Sequence, residues 1–463
     1  MSEPSPTEPP PRTEATGPQP LGLGCWCLRA ARQPLRYIRR NPYRVTAYLL
    51  LTLVLLAGAI LAGVAVWFTH HLRQARNEVA LGHNAVALRH LEKCRAVWPG
   101  HPEVMLLSAR VARRSAAWDE AEAILEEATR RHGETEALAF ERLLLRAVSG
   151  NLKNVRPSLD ARIRQGGPDA TLAREALIAG LAYRFHLNEA LAELEDWLAA
   201  EPQSVLALVH GGKLEEQRFN TEGAAEKYRR VLQLDPDHDD ARLRLASLLI
   251  SDRRGDEAIE HLSVLRQRLP GHPEVAILWV KALALVGRTE ESRTALAACL
   301  RDYPNYPAAL AEAGASALLD GDDAAAIEFF TRALALEPGN VTVRKQYTLA
   351  LTRVGRHEDA AREQAVADRL AADFERITQL IAGPLQSRPQ DPEVHHEIAQ
   401  IALRSGQVRE AIRWFQSALE ADPDHGPTHR ALANLYRDLE NPILAARHRA
   451  LAQKSKVASS PPQ

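Results

Sequence analysis

The hydrophobic profile of the chain has one abrupt feature near its start. Residues 45–68, VTAYLLLTLVLLAGAILAGVAVWF, carry no charge over 24 positions. At about 1.5 Å of rise per residue a helix of this length reaches roughly 36 Å, enough to cross a bilayer with some tilt. Tyr43 and Tyr48 mark one end and Trp67 and Phe68 the other, as rings at a membrane–water boundary do. A cleaved signal peptide has a shorter apolar core, about 7–15 residues. Residues 1–28 before the run are Pro-rich and too polar to offset their ordering entropy, which predicts a disordered tail. Residues 29–44 are basic, with Arg29, Arg32, Arg36, Arg39, Arg40 and Arg44, whereas only Arg73 and Arg76 stand within a similar distance after the run. The positive-inside rule then places the N-terminus in the cytoplasm and everything after residue 68 outside it. The expectation is a single-pass protein of the cytoplasmic (inner) membrane with a periplasmic or otherwise extracytoplasmic body. Gly58 with Ala62, and Ala59 with Gly63, set small residues four apart, a spacing that would let two spans approach as a weak homodimer.

From residue 69 the pattern becomes a long-range repeat. Pro202, Pro236, Pro270, Pro304 and Pro338 are each 34 residues apart, and so are Pro389 and Pro423. Twelve residues before six of these prolines stands a small residue: Ala190, Ala224, Ala258, Ser292, Ala326 or Ala411. Four residues later comes a large apolar one: Leu194, Tyr228, Leu262, Leu296, Phe330 or Phe415. This spacing predicts pairs of short antiparallel helices. One pair cannot bury its own apolar faces, but a stack of pairs can. The small residue allows the two helices of a pair to approach, and Pro ends the second helix. Gly255, Gly287, Gly321, Gly355 and Gly406 stand where the turn within a pair is expected.

These residues resemble the tetratricopeptide repeat family. The stretches DARLRLASLLISDRRGDEAIEHLSVLRQRLPG and PAALAEAGASALLDGDDAAAIEFFTRALALEPGN carry the likeness, as does EVHHEIAQIALRSGQVREAIRWFQSALEADPDH. They match the family's small residue at position 8 (Ala246, Gly314, Ala399), its later Gly and Ala, and its closing Pro. The resemblance covers roughly residues 69–455 and implies an all-α fold: a right-handed α-solenoid of helix pairs preceded by one transmembrane helix.

Two breaks in the period shape the expected organisation. Pro99 to Pro202 is one residue more than three periods, an excess expected near Gly166-Gly167-Pro168. Pro338 to Pro389 is 51 residues, a period and a half, and no Gly or Pro interrupts residues 357–381. That stretch predicts one long helix, whose overhang stands in for the first helix of an extra half-unit. The array then has about eleven units in a main block at 69–382 and a C-terminal block at 383–455, with a disordered tail at 456–463.

Composition adds little chemistry. Apolar residues are 46% and charged residues 25%, but aromatics only 5%, a balance that favours helix. A net charge of −1 supplies no field for nucleic acid, which is not expected as a partner. Cys25, Cys27, Cys94 and Cys299 form neither a disulfide framework nor a zinc pattern; Cys25 and Cys27 would stay reduced in the cytoplasm or accept a lipid. No phosphate loop, nucleophile elbow or His-Glu-x-x-His occurs. The histidines of His70-His71 and of His395-His396 point about 100° apart on a helix, so neither pair converges on a metal; the first is expected at lipid headgroups. His101, His238, His272 and His425 follow prolines and read as turn residues. The expectation is a non-enzyme with no cofactor and no metal.

In the family that the repeats resemble, the first helix of each pair lines a concave groove that binds protein or peptide. Arg76, Arg110, Lys213, Lys281, Gln400 and Asn434 hold the ninth position, and Lys345, Arg353, Arg430 and Arg437 share that face. Glu216, Asp240, Glu274 and Glu393 are interleaved, so a solvated face of mixed sign is the plain alternative to a groove for extended or acidic polypeptides. Two functions fit this reading. One is a membrane-anchored interaction scaffold or adaptor. The other is a non-catalytic subunit that presents substrates within an envelope polysaccharide, glycosyltransferase or protein-maturation system.

Overall fold

The computed structural model describes residues 42–458. The Pro-rich tail, most of the basic segment, Cys25, Cys27 and the last five residues lie outside the described part. The described residues divide into two units between His70 and His71.

Helix α1 spans Pro42–Leu81, 40 residues. Its stretch Leu50–Leu81 is long and apolar enough to cross a membrane. Leu50, Leu53, Leu56, Ile60, Leu61 and Val66 are all more than three-fifths exposed. Apolar side chains in that state need a nonaqueous neighbour. The helix continues without a break past residue 68, so its last turns serve the second unit directly.

The second unit is a succession of short helices. After α1 come α2 (Asn84–Val97), α3 (Pro102–Arg114), α4 (Trp118–His132), α5 (Glu136–Val148), α6 (Leu152–Gln165), α7 (Pro168–Tyr183) and α8 (Leu187–Ala200). Then follow α9 (Val205–Gln217), α10 (Thr221–Leu234), α11 (Asp239–Ser251), α12 (Gly255–Arg268), α13 (Pro273–Leu285), α14 (Thr289–Asp302), α15 (Pro307–Asp320) and α16 (Asp323–Leu336). The last are α17 (Val341–Arg353), α18 (His357–Ala382), the single turn α19 (Pro384–Ser387), α20 (Pro392–Arg404), α21 (Val408–Ala421), α22 (Gly426–Asp438) and α23 (Pro442–Ala458). Among the described residues the end of α1 with α2, and each following pair once the single turn α19 is set aside, make eleven units. The chain stays helical to Ala458, past the boundary expected at 456.

The repeated small and large positions form the core. Ala190, Ala224, Ala258, Ala326 and Ala411 are fully buried, as are Tyr228, Leu262, Phe330 and Phe415. Ser292 takes the small position in its unit and donates its hydroxyl to the carbonyl of Val280 at 2.9 Å. A Cβ placed on Gly212 would fall 2.5 Å from the Tyr228 ring, and Gly314 bears the same relation to Phe330. His101, His238, His272 and His425 are the residues that precede α3, α11, α13 and α22.

The structure corrects four details. Gly287, Gly321, Gly355 and Gly406 take the positive φ of the turn within a pair, but Gly255 does not: it opens α12, and Arg253 turns with φ 62°. Ala116, Phe185, Phe219 and Glu440 do the same in other units. A non-glycine residue there costs about 1–2 kcal/mol, so helix packing imposes the turn and glycine only eases it. Second, the extra residue goes into α7, which has 16 residues where α9 and α11 have 13 and which follows a link two residues shorter, Gly166-Gly167. Third, the overhang of α18 has the register of a second helix, not a first. Ile381 lies eight residues before Pro389, as Phe330 lies eight before Pro338. Ile381, Leu380 and Leu385 pack in one cluster with Val394, Ile398 and Phe415. Fourth, His71 faces α2, with its Nδ1 2.9 Å from that of His90.

The long helix itself has 26 residues, or about 39 Å. Asp373 and Arg376 on its overhang pair with Arg404 (2.7 Å) and Glu397 (2.6 Å) of α20.

Candidate functional site

The first helices of the second to sixth units carry titratable side chains where apolar ones would serve packing. Glu141, Glu175, His210 and Arg244 are spaced 34, 35 and 34 residues apart, one column at the repeat period. Stacking sets these side chains beside one another and beside the ninth-position column one turn further along each helix.

The result is a connected ion-pair network. Glu141 accepts from Arg113 Nε at 2.6 Å and Arg110 Nε at 2.9 Å. Glu175 accepts twice from Arg114, at 2.8 and 2.5 Å, and lies 3.5 Å from Arg113. The Glu141 and Arg113 side chains are each 1% exposed. Burial opposes both carboxylates, but the facing guanidinium groups hold them well below the usual carboxylate range. Arg114 also donates to the carbonyl of Val79 on α1 at 2.5 Å. Further along, Lys213 pairs with Asp240 at 3.2 Å and Arg244 with Glu216 at 3.0 Å. Tyr228 donates its hydroxyl to Glu216 at 2.6 Å. Asp240 is drawn down to about 2, against its burial, by Lys213 and Arg244.

Of these groups Arg113, Arg114, Glu175, His210, Lys213, Asp240 and Arg244 line a cavity of about 310 Å³, together with Gly82, Asn84, Trp118, Tyr183, Gln217 and His238. Burial pushes His210 and His238 down to about 4, so both are neutral at pH 7. His238 Nδ1 accepts from the amide of Ala241, which leaves the proton on Nε2. That Nε2, Arg113 Nη2, Gln217 Oε1 and Asn84 Oδ1 are buried without a hydrogen-bond partner among the described residues. Unmet donors and acceptors on one cavity wall are a demand for polar contact.

The residues expected on the groove face fall into two groups. Arg110 and Lys213 belong to this network. Arg76 pairs with Glu103 at 2.6 Å, and Arg353 binds the carbonyl of Leu318 at 3.0 Å. Gln400 reaches His396 Nε2 at 2.8 Å, Arg437 pairs with neighbouring Asp438, and Lys281 acts on Glu312. Lys345, Arg430 and Asn434 are exposed. The first group has partners within the protein, with Arg76, Arg353, Gln400 and Arg437 nonetheless exposed at the surface. Glu141, Glu175, His210 and Arg244 were not among the expected residues, although their common period was present in the sequence. His395 and His396 bond separately to the Pro389 carbonyl and the Thr428 hydroxyl. Among the described residues no group of three metal-ligating side chains converges.

Models described as tetratricopeptide repeat match residues 78–144, 217–278, 278–341 and 392–425. A TPR repeat-containing protein of Pseudomonas aeruginosa is 26% identical over 217 residues, 46% of this chain. The match covers 34% of that relative, so the chain spans about a third of the length of the curated protein that it matches. Among solved structures, PilW, described as a widely conserved type IV pilus biogenesis factor, is 18% identical with a TM-score of 0.38. That match covers 45% of this chain and 96% of PilW. The human IFIT1 dimer with m7Gppp-AAAA is 14% identical with a TM-score of 0.40, covering 78% of this chain and 91% of that one. The Cut9-Hcn1 hetero-tetramer of the APC/C is 14% identical with a TM-score of 0.31, covering 84% and 94%. None of these likenesses carries a function to this chain.

Proposed function

Because this chain belongs to the tetratricopeptide repeat family, we propose that it is a non-catalytic, membrane-anchored scaffold that binds protein partners through its first-helix face. The anchor is residues 45–68, and the Arg asymmetry around it favours display of the array on the non-cytoplasmic side. The observation that carries the reading is the division of labour in each pair. Apolar positions go into stacking, while the first helices present a charge-patterned face with buried, unpartnered polar atoms. Such a face suits recognition of an extended polypeptide: ion pairs orient it, and Lys345, Arg430 and Asn434 remain accessible for contact.

Site-directed photo-crosslinking of the full chain in its membrane tests this. A photoreactive residue at Lys345, Arg430 or Asn434 should capture a discrete partner, and one at Arg130 on α4 should not. Identical adducts from both faces, or none from the first-helix positions, would count against the proposal. A captured transferase or exporter subunit would favour the substrate-presenting version of the scaffold.

A further inference from the structure

His83 lies in the turn between α1 and α2, and both of its ring nitrogens meet carboxylates. Nδ1 is 2.7 Å from Glu78 Oε2, and Nε2 is 2.6 Å from Asp235 Oδ2. An ionised carboxylate only accepts, and a neutral imidazole has a single N–H to give. Both contacts are met together by the imidazolium alone. Glu78 is a local partner, but Asp235 is 152 residues away, in the turn between α10 and α11. The His83 side chain is 8% exposed, so water has little access to replace either bond.

The turn is closely docked. Gly82 has φ +86°, and a Cβ there would fall 2.7 Å from Leu206 on α9 and 3.6 Å from His238. Charged and titratable groups surround His83 from each neighbouring element. At the start of α11, the His238 ring just before the helix stands edge-on with centroids 5.3 Å apart, and Asp239 and Arg242 follow it on the helix. Arg268 on α12 pairs with Asp239 at 2.8 Å and also with Asp237. Arg89 on α2 reaches the Arg268 carbonyl at 3.4 Å. His238 stays neutral, so the cation beside it is not opposed by a second imidazolium. Burial draws the His83 pKa down, but the hydrogen bonds and charges of Asp235 and Glu78 outweigh it, and the value lies above 6.5.

We propose that His83 is a protonation-dependent latch that holds the first helix pair against the fifth and sixth units and so sets the width of the inner cavity. Gly82 and Asn84, on either side of it, line that cavity. The inference rests on the reading of the first-helix face as the binding surface and names its regulation. Because the folded-state pKa is raised, the latch contributes fully below pH 6.5 and is lost as pH rises through the folded value. Deprotonation leaves one N–H for two carboxylates, and the released carboxylate then faces a lone pair. A partner that enters the cavity would find it tighter in acid and wider in base.

Pulsed electron paramagnetic resonance on the full chain in detergent reads the latch with no partner present. Nitroxides would be attached at Leu88→Cys on α2 and Gln233→Cys on α10, with Cys25 and Cys27 replaced by Ser and the buried Cys94 and Cys299 kept. The separation should be narrow and short at a pH of about 5.5 and gain a longer population at about 9. The opening constant should change up to about tenfold for each unit by which the folded-state value exceeds 6.5. His83→Gln should show the longer population at both values. Asp235→Asn, which keeps shape and acceptor, should lose the response, and it carries the test if His83→Gln loses helicity by circular dichroism. A wild-type separation that is the same at both pH values, or a pH response that survives both variants, would overturn the latch. Failure of the crosslinking test would sink the binding surface while leaving this distance response intact.

Discussion

Glu141→Ala should open the second and third units and leave distant ones intact. Glu141 accepts from two arginines, and removing it leaves Arg113, 1% exposed, with a single 3.5 Å contact to Glu175. An uncompensated charge at such a site costs about 3–5 kcal/mol. At about 1.4 kcal/mol per decade this is roughly two to three and a half orders of magnitude in the local opening constant. Stability in a repeat array is a sum over units and their neighbours, so the loss should stay local. Hydrogen exchange read by mass spectrometry can follow it. Amides of α3 and α5 should lose protection by at least about a hundredfold, and those of α15 and α16 should not move. Replacing Arg113 by Met together with Glu141 by Leu should restore most of the protection, because a buried pair exchanged for apolar groups is often near neutral. Arg130→Ala breaks an exposed pair with Glu127 and should leave protection unchanged. Loss below about tenfold in α3, or equal loss in α15, would refute the reasoning.

Ala326→Leu should cost about 1–3 kcal/mol by overpacking a fully buried contact, whereas Ala308→Leu, half-buried on a first helix, should cost less; urea melts of the two variants compare them. His210 and His238 are held at about 4, below their ordinary 6.5, so the unfolded chain binds more protons between those values. Stability near the cavity should therefore fall as pH drops from about 6.5 to about 4, and His238→Gln should shrink that slope in an exchange titration. A reporter that is active only outside the cytoplasm, fused after Gln463, should be active. Activity of a cytoplasmic reporter at that point would reverse the topology.

Much of the fold was legible because the repeat is written in packing residues. Ala326 and Phe330 must be small and large for two helices to touch, and that constraint recurs at each 34-residue step. The unbroken helix at 357–382 was legible for a related reason: nothing in it can stop a helix before Gly383-Pro384. Its partner was not, because whether an overhang serves as a first or second helix depends on the register to the next proline. The candidate site was less legible. Lys213 and Arg110 were visible as positions in a pattern, but their neutralisation by Asp240 and Glu141 depends on contacts between units. Glu141 sits in a helix that otherwise reads as an ordinary amphipathic segment and Glu175 in one that is apolar on several faces, and the shared period with His210 and Arg244 is what links them. Asp235 as the mate of His83 had no local signal, since 152 residues and several helix pairs separate them.

A second long-range contact bears on how such a chain can change its length. Arg413 on α21 lies over the rings of Tyr183 and Phe185, 4.5 and 4.9 Å from their centroids, and donates to the Tyr183 carbonyl. Trp414 meets Phe185 at 4.8 Å, and Arg184 pairs with Glu420. A simple stack tolerates an added or deleted module, because each module meets only its neighbours. Here the fourth unit and the tenth are fastened side to side, so the modules between them must span a fixed arc. Duplication of one intervening repeat would carry α21 past Tyr183 and leave the buried Arg413 cation with Glu410 on its own helix as its charged partner. Repeat number between these two points is thus constrained by closure, and indels in this region should be confined to the tips of turns.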